Sequence, residues 1–169
     1  MKACIIAYDE YINIPYVKGY EKLLRLNQIE YEFILWNRSG DSIATETDNP
    51  AHVFSWRTRK SKISKLLPFF FWSIFTRKVL KKNEYDFLII CTTVPAVLLF
   101  DVLTQKYNKR FLLDIRDFSY ENIGFYKMMV KKLTQASGMT TISSKGFYEW
   151  LPCAKDVYVL THNITTVGG

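Results

Sequence analysis

Short apolar runs alternate with amphipathic stretches along almost the whole chain. Seven runs have the length and content of buried strands, and several are apolar on consecutive residues, as parallel strands covered on both faces are. These runs lie at residues 3–7, 31–36, 52–56, 86–93, 111–115, 139–142 and 156–160. Their order predicts the fold class α/β, with a Rossmann-like, doubly wound and mostly parallel sheet of about seven strands.

Apolar residues at helical spacing fill most of the intervals between these runs. Proline stands near the start of three of the patterns, which fits its preference for the first helical turn. The predicted helices lie at residues 15–27, 66–82, 95–107 and 123–136, with a short helix after Ser143 and Ser144 that runs to Trp150. The two serines are expected to cap that short helix, and Gly138 is expected to end the helix before it.

Composition places the chain among globular proteins. A length of 169 residues and an apolar content of 49% suit one domain with a sizeable core. The three cysteines are far apart in sequence, and the only histidines, His52 and His162, are expected at opposite edges of the sheet. We therefore predict neither a disulfide framework nor a metal site.

The start of the chain has no signal-peptide pattern, which predicts a cytoplasmic protein. The longest uncharged stretch, residues 66–76, is shorter than the ~20 residues that span a bilayer. We expect no membrane-spanning helix there.

The net charge of +7 belongs to one segment. Nine of the 23 Lys and Arg residues lie between Arg57 and Lys82, where there is no acidic residue, and the rest of the chain has 14 basic and 16 acidic residues. Three interpretations follow: the aromatic residues of this segment form the core side of a helix, or the segment attaches to an anionic membrane surface, or it binds nucleic acid. The near-neutral remainder argues against a nucleic-acid partner.

Aromatic residues flanked by cations are the composition of a helix that lies in a membrane interface. The residues that would contact the membrane are Lys60, Lys62, Lys65, Phe69, Phe70, Trp72, Arg77 and Lys78. On this interpretation the protein lies peripherally on the inner face of the plasma membrane.

Polar residues follow several of the predicted strands. Parallel strands end at one edge of a sheet, and open α/β sheets bind their ligands at that edge. The candidates are Thr92, Thr93, Arg116, Asp117, Glu121, Ser143, Ser144, His162 and Asn163. Their joint placement predicts a site for a polyhydroxylated or phosphorylated ligand. The chain has neither GxGxxG after its first strand nor GxxxxGK[ST], so neither common nucleotide cradle is predicted.

Strand-end capping is the simpler interpretation of each polar group alone. In the stretch RFLLDIRDFSYEN, Ser119 or Asp117 would cap the next helix, and Asp114 would pair with Arg116, two residues away on the same strand face. The two interpretations are compatible, because a capping residue can also line a site.

Four stretches carry a resemblance to a known family: IPYVKGYEKLLRLNQIEYEFILWNR, LLDIRDFSYEN, ISSKGFYEWLP and VLTHNI. With them the chain resembles the N-terminal domain of glycosyltransferase family 4 enzymes of the GT-B fold, in particular those that build bacterial capsule or O-antigen polysaccharides. Each stretch alone is moderately specific, and their order across nearly the whole chain is the stronger argument.

The resemblance implies two Rossmann-like domains facing a cleft, with the acceptor mainly on the first and the nucleotide-sugar donor mainly on the second. Residues 1–164 would be the acceptor-side domain and residues 165–169 the start of the interdomain linker, while the donor-binding domain is absent. We therefore expect this chain to bind no cofactor by itself and to be unable to transfer sugar alone. Its expected partners are a saccharide or polyprenyl-linked acceptor and the missing domain.

The resemblance also implies residue roles and a metal-independent transfer with retention of anomeric configuration. Asp117 would contact the reacting acceptor hydroxyl or the donor sugar, and Arg116 would orient the loop or meet a phosphate. The acceptor would be covered by Tyr8, Asp9, Tyr11 and Asn13. Many relatives have glycines in this first loop to admit the donor diphosphate, and this chain departs from them there.

The alternative function is a non-catalytic α/β binding module, flavodoxin-like or receiver-like, that its basic helix recruits to a membrane or partner. Asp9 and Glu10 supply the acidic pair that a receiver needs after its first strand. The third predicted strand supplies no phosphorylatable aspartate.

Overall fold

A seven-stranded sheet forms the centre of the computed structural model, which describes residues 1–41, 43–57 and 66–161. The strands are β1 (Lys2–Ile6), β2 (Glu30–Asn37), β3 (Ala51–Ser55), β4 (Phe87–Cys91), β5 (Phe111–Ile115), β6 (Met139–Ile142) and β7 (Tyr158–Leu160). They lie in the order β3-β2-β1-β4-β5-β6-β7, and every neighbouring pair is parallel. The predicted α/β, Rossmann-like fold class is confirmed.

Helices cover both faces of this sheet. They are α1 (Val17–Leu26), α2 (Leu66–Lys82), α3 (Thr93–Leu98), α4 (Phe100–Gln105) and α5 (Gly124–Ala136). Helix α1 buries Val17 and Leu24 against one face of the central strands, whereas Trp72 of α2 and Leu103 of α4 belong to the core on the other face. Burial of strand residues on both faces explains their continuous apolar runs.

The predicted single helix over residues 95–107 is wrong, because the chain breaks into α3 and α4 at Leu99. This residue is wholly buried, and its N–H is shared between the carbonyls of Pro95 at 3.1 Å and Ala96 at 3.2 Å. Its φ of −107° and ψ of 18° lie outside the helical region, so the helix is interrupted at this residue.

Two capping predictions at α5 are also corrected. The residue before the helix is Ile123, and no side chain caps it, so neither Ser119 nor Asp117 has that role. Gly138 follows the helix end at Ala136 as predicted, but its φ is not positive, so it does not act as a left-handed helix cap. A Cβ at this residue would come 2.8 Å from the Lys109 carbonyl oxygen. Close backbone packing therefore requires this glycine.

Candidate functional site

A crevice lies at the carboxyl edge of the sheet, where β1 and β4 are neighbours. The connection after β1 leads to α1 on one face, and the connection after β4 leads to α3 on the opposite face. Such a switch point is the expected ligand position in an open α/β sheet. A cavity of about 170 Å³ lies here. Its lining includes six predicted residues, which are Tyr8, Asp9, Asn13, Thr92, Arg116 and Asp117, as well as Tyr16.

Asp117, the second residue after β5, lines this cavity and is partly accessible to solvent. Partial burial raises its pKa, and the neighbouring Glu121 carboxylate raises it further. Among the described residues, only its own backbone N–H favours the charged form. A carboxylate with a raised pKa accepts hydrogen bonds and protons more readily than an ordinary one. Asp117 is thus suited to contact a ligand hydroxyl.

Tyr8, the second residue after β1, also lines the cavity. Burial raises the pKa of its phenol, and the negative charge of Asp117 adds to the effect. The guanidinium of Arg38 lies 5.7 Å from the Tyr8 ring centre and 5.0 Å from that of Trp36. Sequence reasoning missed Arg38, because it follows β2 in a polar connection with no strand-end pairing to mark it.

The loop after β1 is held by its own carboxylates. Glu10 is 6% exposed, and its Oε1 accepts hydrogen bonds from the backbone N–H groups of Arg38 at 2.9 Å and Ser39 at 2.6 Å. Burial opposes the charge, but these bonds lower the pKa of Glu10. Asp9 Oδ1 accepts from Asn13 Nδ2 at 2.9 Å. The loop that the resemblance assigned to covering an acceptor is therefore tied to the end of β2.

Arg116 is held in place from beneath by Asp114, a fully buried carboxylate. Its Nε donates to Asp114 Oδ2 at 2.8 Å, which confirms the predicted pairing on one strand face. The other carboxylate oxygen of Asp114 accepts from Thr141 Oγ1 at 2.8 Å. The guanidinium also lies 4.5 Å from the Tyr16 ring centre. Sequence reasoning missed Thr141 and Tyr16, which become neighbours only through strand order and the crossing of α1.

Five other predicted residues are engaged by the protein itself. Glu121 is 2% exposed and accepts hydrogen bonds from Thr93 Oγ1 at 2.7 Å and the Ser119 N–H at 2.6 Å, so it pins the β5 loop to α3. Tyr11 donates to Glu21 at 2.7 Å. Ser143 donates to the Arg116 carbonyl, and Ser144 accepts from the Gly146 N–H at 3.2 Å, as expected of a cap. These side chains act in local structure.

His162, Asn163, Lys60, Lys62 and Lys65 lie outside the described residues. Within residues 1–41, 43–57 and 66–161, no cluster of three or more His, Cys, Asp or Glu side chains is arranged to hold a metal ion.

The remaining residues that were predicted to touch a membrane lie on α2 and differ in how exposed they are. Trp72 is fully buried in the core and is unavailable for membrane contact, because the helix turns it toward the sheet. Phe69 is partly buried between Tyr8, at 5.9 Å, and Trp36, at 5.1 Å between ring centres. Phe70 is 58% exposed. Of the cations, Arg77 pairs with Asp101 and Lys78 is exposed.

A cluster of exposed apolar side chains surrounds the start of α2, and we call it the α2 patch. It consists of Trp56, Leu66, Leu67, Phe70 and Phe71, which are between 38% and 73% exposed. Trp56 stacks on Phe71 with ring centres 5.3 Å apart. Among the described helices, none is long and apolar enough to cross a membrane.

Solved structures of similar fold include two alpha-glucosyltransferases. One is an alpha-glucosyltransferase in complex with UDP-glucose and DNA containing an abasic site, with a TM-score of 0.50 and 12% identity over 92% of this chain and 40% of its own. The other is an alpha-glucosyltransferase in complex with UDP, with a TM-score of 0.48 and 15% identity over 90% and 39% of the two chains. No protein-family model and no curated protein matches the sequence. The chain therefore has a glycosyltransferase-like fold and spans about two fifths of the length of the structures it resembles.

Proposed function

We propose that this chain is the acceptor-side domain of a glycosyltransferase that moves a sugar from a nucleotide-sugar donor to a saccharide or polyprenyl-linked acceptor. The observation that carries the proposal is the cavity at the β1/β4 switch point, which is lined by Tyr8, Arg116 and Asp117, in a glycosyltransferase-like fold. The similar structure that holds UDP-glucose supports a nucleotide sugar as donor.

In this proposal Asp117 accepts a hydrogen bond from the reacting acceptor hydroxyl, which its raised pKa favours. Arg116, fixed by Asp114, orients the β5 loop and meets a phosphate oxygen. Tyr8 and the loop after β1 cover the acceptor. The bond between the anomeric carbon and the donor diphosphate breaks, and a new bond forms to the acceptor oxygen. The proton of the acceptor hydroxyl passes to the departing diphosphate.

The finer assignments belong to the same proposal. They are retention of anomeric configuration, transfer without a metal ion, membership of glycosyltransferase family 4, and a role in bacterial surface polysaccharide synthesis. They rest on the resemblance of the four sequence stretches. The 169-residue chain is expected to be inactive alone, because a donor-binding domain must face the crevice for transfer to occur.

A transfer assay tests this function. A panel of UDP-, GDP- and dTDP-sugars is offered with saccharide and polyprenyl-diphosphate acceptors to the 169-residue chain and to the whole polypeptide that its gene encodes. We expect turnover by the whole polypeptide only, and at least a 100-fold loss in its Asp117→Ala variant. Asp156→Ala, at an exposed aspartate before β7, is the control and should retain activity.

Turnover by the 169-residue chain would contradict the need for a second domain. Equal activity of the Asp117→Ala and Asp156→Ala variants would remove Asp117 from the site. If the whole polypeptide transfers no sugar but still binds lipid, the non-catalytic binding module becomes the better description.

We also propose that the protein attaches peripherally to an anionic membrane surface through the α2 patch. The patch is apolar and exposed, and the nine cations between Arg57 and Lys82 give the segment the charge that attracts anionic lipid. Phe69, at the same end of α2, touches Tyr8, so the patch adjoins the crevice. A lipid-linked acceptor could then be anchored beside the cavity that takes its sugar.

Vesicles of phosphatidylglycerol and phosphatidylcholine test the attachment by co-sedimentation at low salt. We expect wild-type protein to bind and the double variant Phe70→Ser/Phe71→Ser to lose most of its binding, while Phe125→Ser, an exposed residue of α5, binds normally. Equal loss in both variants, or no binding by the wild type to vesicles rich in phosphatidylglycerol, would contradict a docking surface at the α2 patch.

A further inference from the structure

Thr92, the residue immediately after β4, has a backbone conformation that is unusual for a residue with a side chain. Its φ is 74° and its ψ is 170°, in a region that is essentially restricted to glycine because the Cβ crowds the neighbouring peptides. The other described non-glycine residues with positive φ, Gln28 at 55° and Lys109 at 61°, have the φ of the ordinary left-handed region. Thr92 is also β-branched, which increases the crowding.

The hydroxyl of Thr92 is a second unfavourable feature. The residue is 6% exposed, and Oγ1 is buried without a hydrogen-bond partner among the described residues. The Tyr8 phenol lies beside this hydroxyl, but not in hydrogen-bonding geometry. A buried hydroxyl without a partner lowers the stability of a fold, whereas valine would fill the same volume at no such cost. Folding alone therefore does not favour threonine here.

The surroundings hold Thr92 firmly in this conformation. Its N–H donates to the Asp114 carbonyl at 2.8 Å, and the next residue, Thr93, bonds through its side chain to Glu121. Strained residues persist where the rest of the structure fixes them, and they cluster at ligand sites. Thr92 lines the same cavity as Tyr8 and Asp117. Two unfavourable features thus coincide at one residue of the switch point.

We propose that Thr92 binds the acceptor saccharide, with its Oγ1 forming a hydrogen bond to a sugar hydroxyl, and that the strained backbone is retained because it holds this hydroxyl behind the Tyr8 phenol that lines the crevice. The inference rests on the proposed function and adds a specificity-determining contact to its site. Because Oγ1 is sealed from water in this structure, the sugar hydroxyl takes the position beside Oγ1 that the Tyr8 phenol holds, and the Tyr8 ring moves aside.

Three variants distinguish the effect of the Thr92 backbone strain from that of its hydroxyl and from that of the proposed contact with the sugar. Thr92→Gly removes both the Cβ and the hydroxyl, while Thr92→Val removes the hydroxyl and keeps the Cβ. Thr134→Val is the matched control, because Thr134 in α5 is 3% exposed and its Oγ1 also lacks a partner among the described residues. It does not line the cavity.

Thermal unfolding of the 169-residue chain gives the first measurement. We expect Thr92→Gly to raise Tm by about 2–4 °C, because relief of strain outweighs the added freedom of the unfolded chain. Thr92→Val and Thr134→Val should each raise Tm slightly and by similar amounts. A fall in Tm of Thr92→Gly would show that the backbone is not strained at this residue and would overturn the inference.

Saturation-transfer NMR with a panel of methyl glycopyranosides gives the second measurement. We expect Thr92→Val and Thr92→Gly to bind the best of these probes about fivefold more weakly than the wild type, the effect of one lost hydrogen bond. Thr134→Val should bind normally. If the wild type and Thr92→Val bind a glycoside equally, the contact is absent while the saccharide site stands. If the wild type binds none of the panel, the proposed saccharide site fails, and the role of Thr92 fails with it.

Discussion

Carboxylates at the two edges of the sheet have pKa values shifted in opposite directions. At the amino edge, Glu32 of β2 is surrounded by donors, with Lys2 Nζ at 2.5 Å, Tyr85 OH at 2.6 Å and His52 Nε2 at 3.1 Å. Burial works against its charge, but hydrogen bonds from these three residues lower its pKa to about 2. At the carboxyl edge, partial burial and the charge of Glu121 raise the pKa of Asp117.

The difference separates groups that stabilise the fold from groups that are available to a ligand. A carboxylate that the protein itself satisfies contributes to folding and offers little to a partner. A carboxylate with a raised pKa, in a cavity beside a strained residue, is an unfavourable arrangement that folding alone would not maintain. Substitutions at the amino edge should therefore change stability, and substitutions at the carboxyl edge should change binding. Four measurements of the free energy of unfolding test this contrast.

The largest effect is expected at Gly138, between α5 and the amino end of β6. In Gly138→Ala the new Cβ would come 2.8 Å from the backbone oxygen of Lys109, so the backbone must shift. We expect a loss of about 2–3 kcal/mol in urea unfolding. Gly124→Ala, at the start of α5 with open space around it, is the control and should change stability by less than about 0.5 kcal/mol. Equal effects would mean that the close approach is relieved without cost.

The second-largest change in the free energy of unfolding is expected for Glu32→Gln, and its size depends on pH. The folded-state pKa of about 2 lies below the ordinary 4.5, so the unfolded chain binds more protons between these values. The contribution of Glu32 is thus fully present above pH 4.5 and is lost as pH falls toward 2. After allowance for solvent screening we expect Glu32→Gln to cost about 1–2 kcal/mol at pH 7. The difference between the two proteins should shrink as the pH is lowered to 3, and a constant difference would contradict this account.

A smaller effect of opposite sign is expected for Asp117→Asn. Because the pKa of Asp117 is raised, its ionisation disfavours the folded state, and this penalty grows as pH rises through the folded-state pKa. The variant should be slightly more stable than the wild type at pH 7, within about 0.5 kcal/mol, and equal to it at pH 3. Destabilisation at pH 7 would mean that Asp117 has a structural partner.

The smallest effect is expected for Phe125→Ser on α5, near the carboxyl edge. The side chain is 68% exposed, so its removal should leave the free energy of unfolding unchanged within about 0.5 kcal/mol. A loss above 1 kcal/mol would show that this part of the carboxyl edge contributes to the core.

Hydrophobic patterning was sufficient to predict the fold, because the central strands β1, β2, β4 and β5 are buried on both faces and appear as apolar runs. Residues 66–82, 111–115 and 139–142 form elements with the predicted bounds. The break at Leu99 was not predictable, since both halves of that stretch carry apolar residues at helical spacing. The need for Gly138 arises from a contact with Lys109, 29 residues earlier, that no local pattern records.

The candidate site was predictable only in part. The rule that parallel strands end at one edge brought Thr92, Arg116 and Asp117 together correctly, and the family resemblance added Tyr8. It could not show that the Glu121 carboxylate accepts hydrogen bonds from Thr93 and Ser119. Both contacts depend on the path of the β5 loop, which the strand pattern does not give. The spacing of apolar residues also could not predict that Trp72 faces the core, because α2 carries aromatic residues on several of its sides.

The pairing of β1 with β4 has a consequence for folding. The backbone N–H of Lys2 bonds to Asp86, 84 residues away in the chain, and Ala3 pairs with Phe87. Contacts between such distant residues form slowly, because a long loop must close before any stabilisation is gained. The crevice cannot exist until this closure is complete, and Asp117 reaches it only after β5 has joined β4. Formation of the crevice during refolding would therefore mark the completion of the sheet, later than the formation of any single helix.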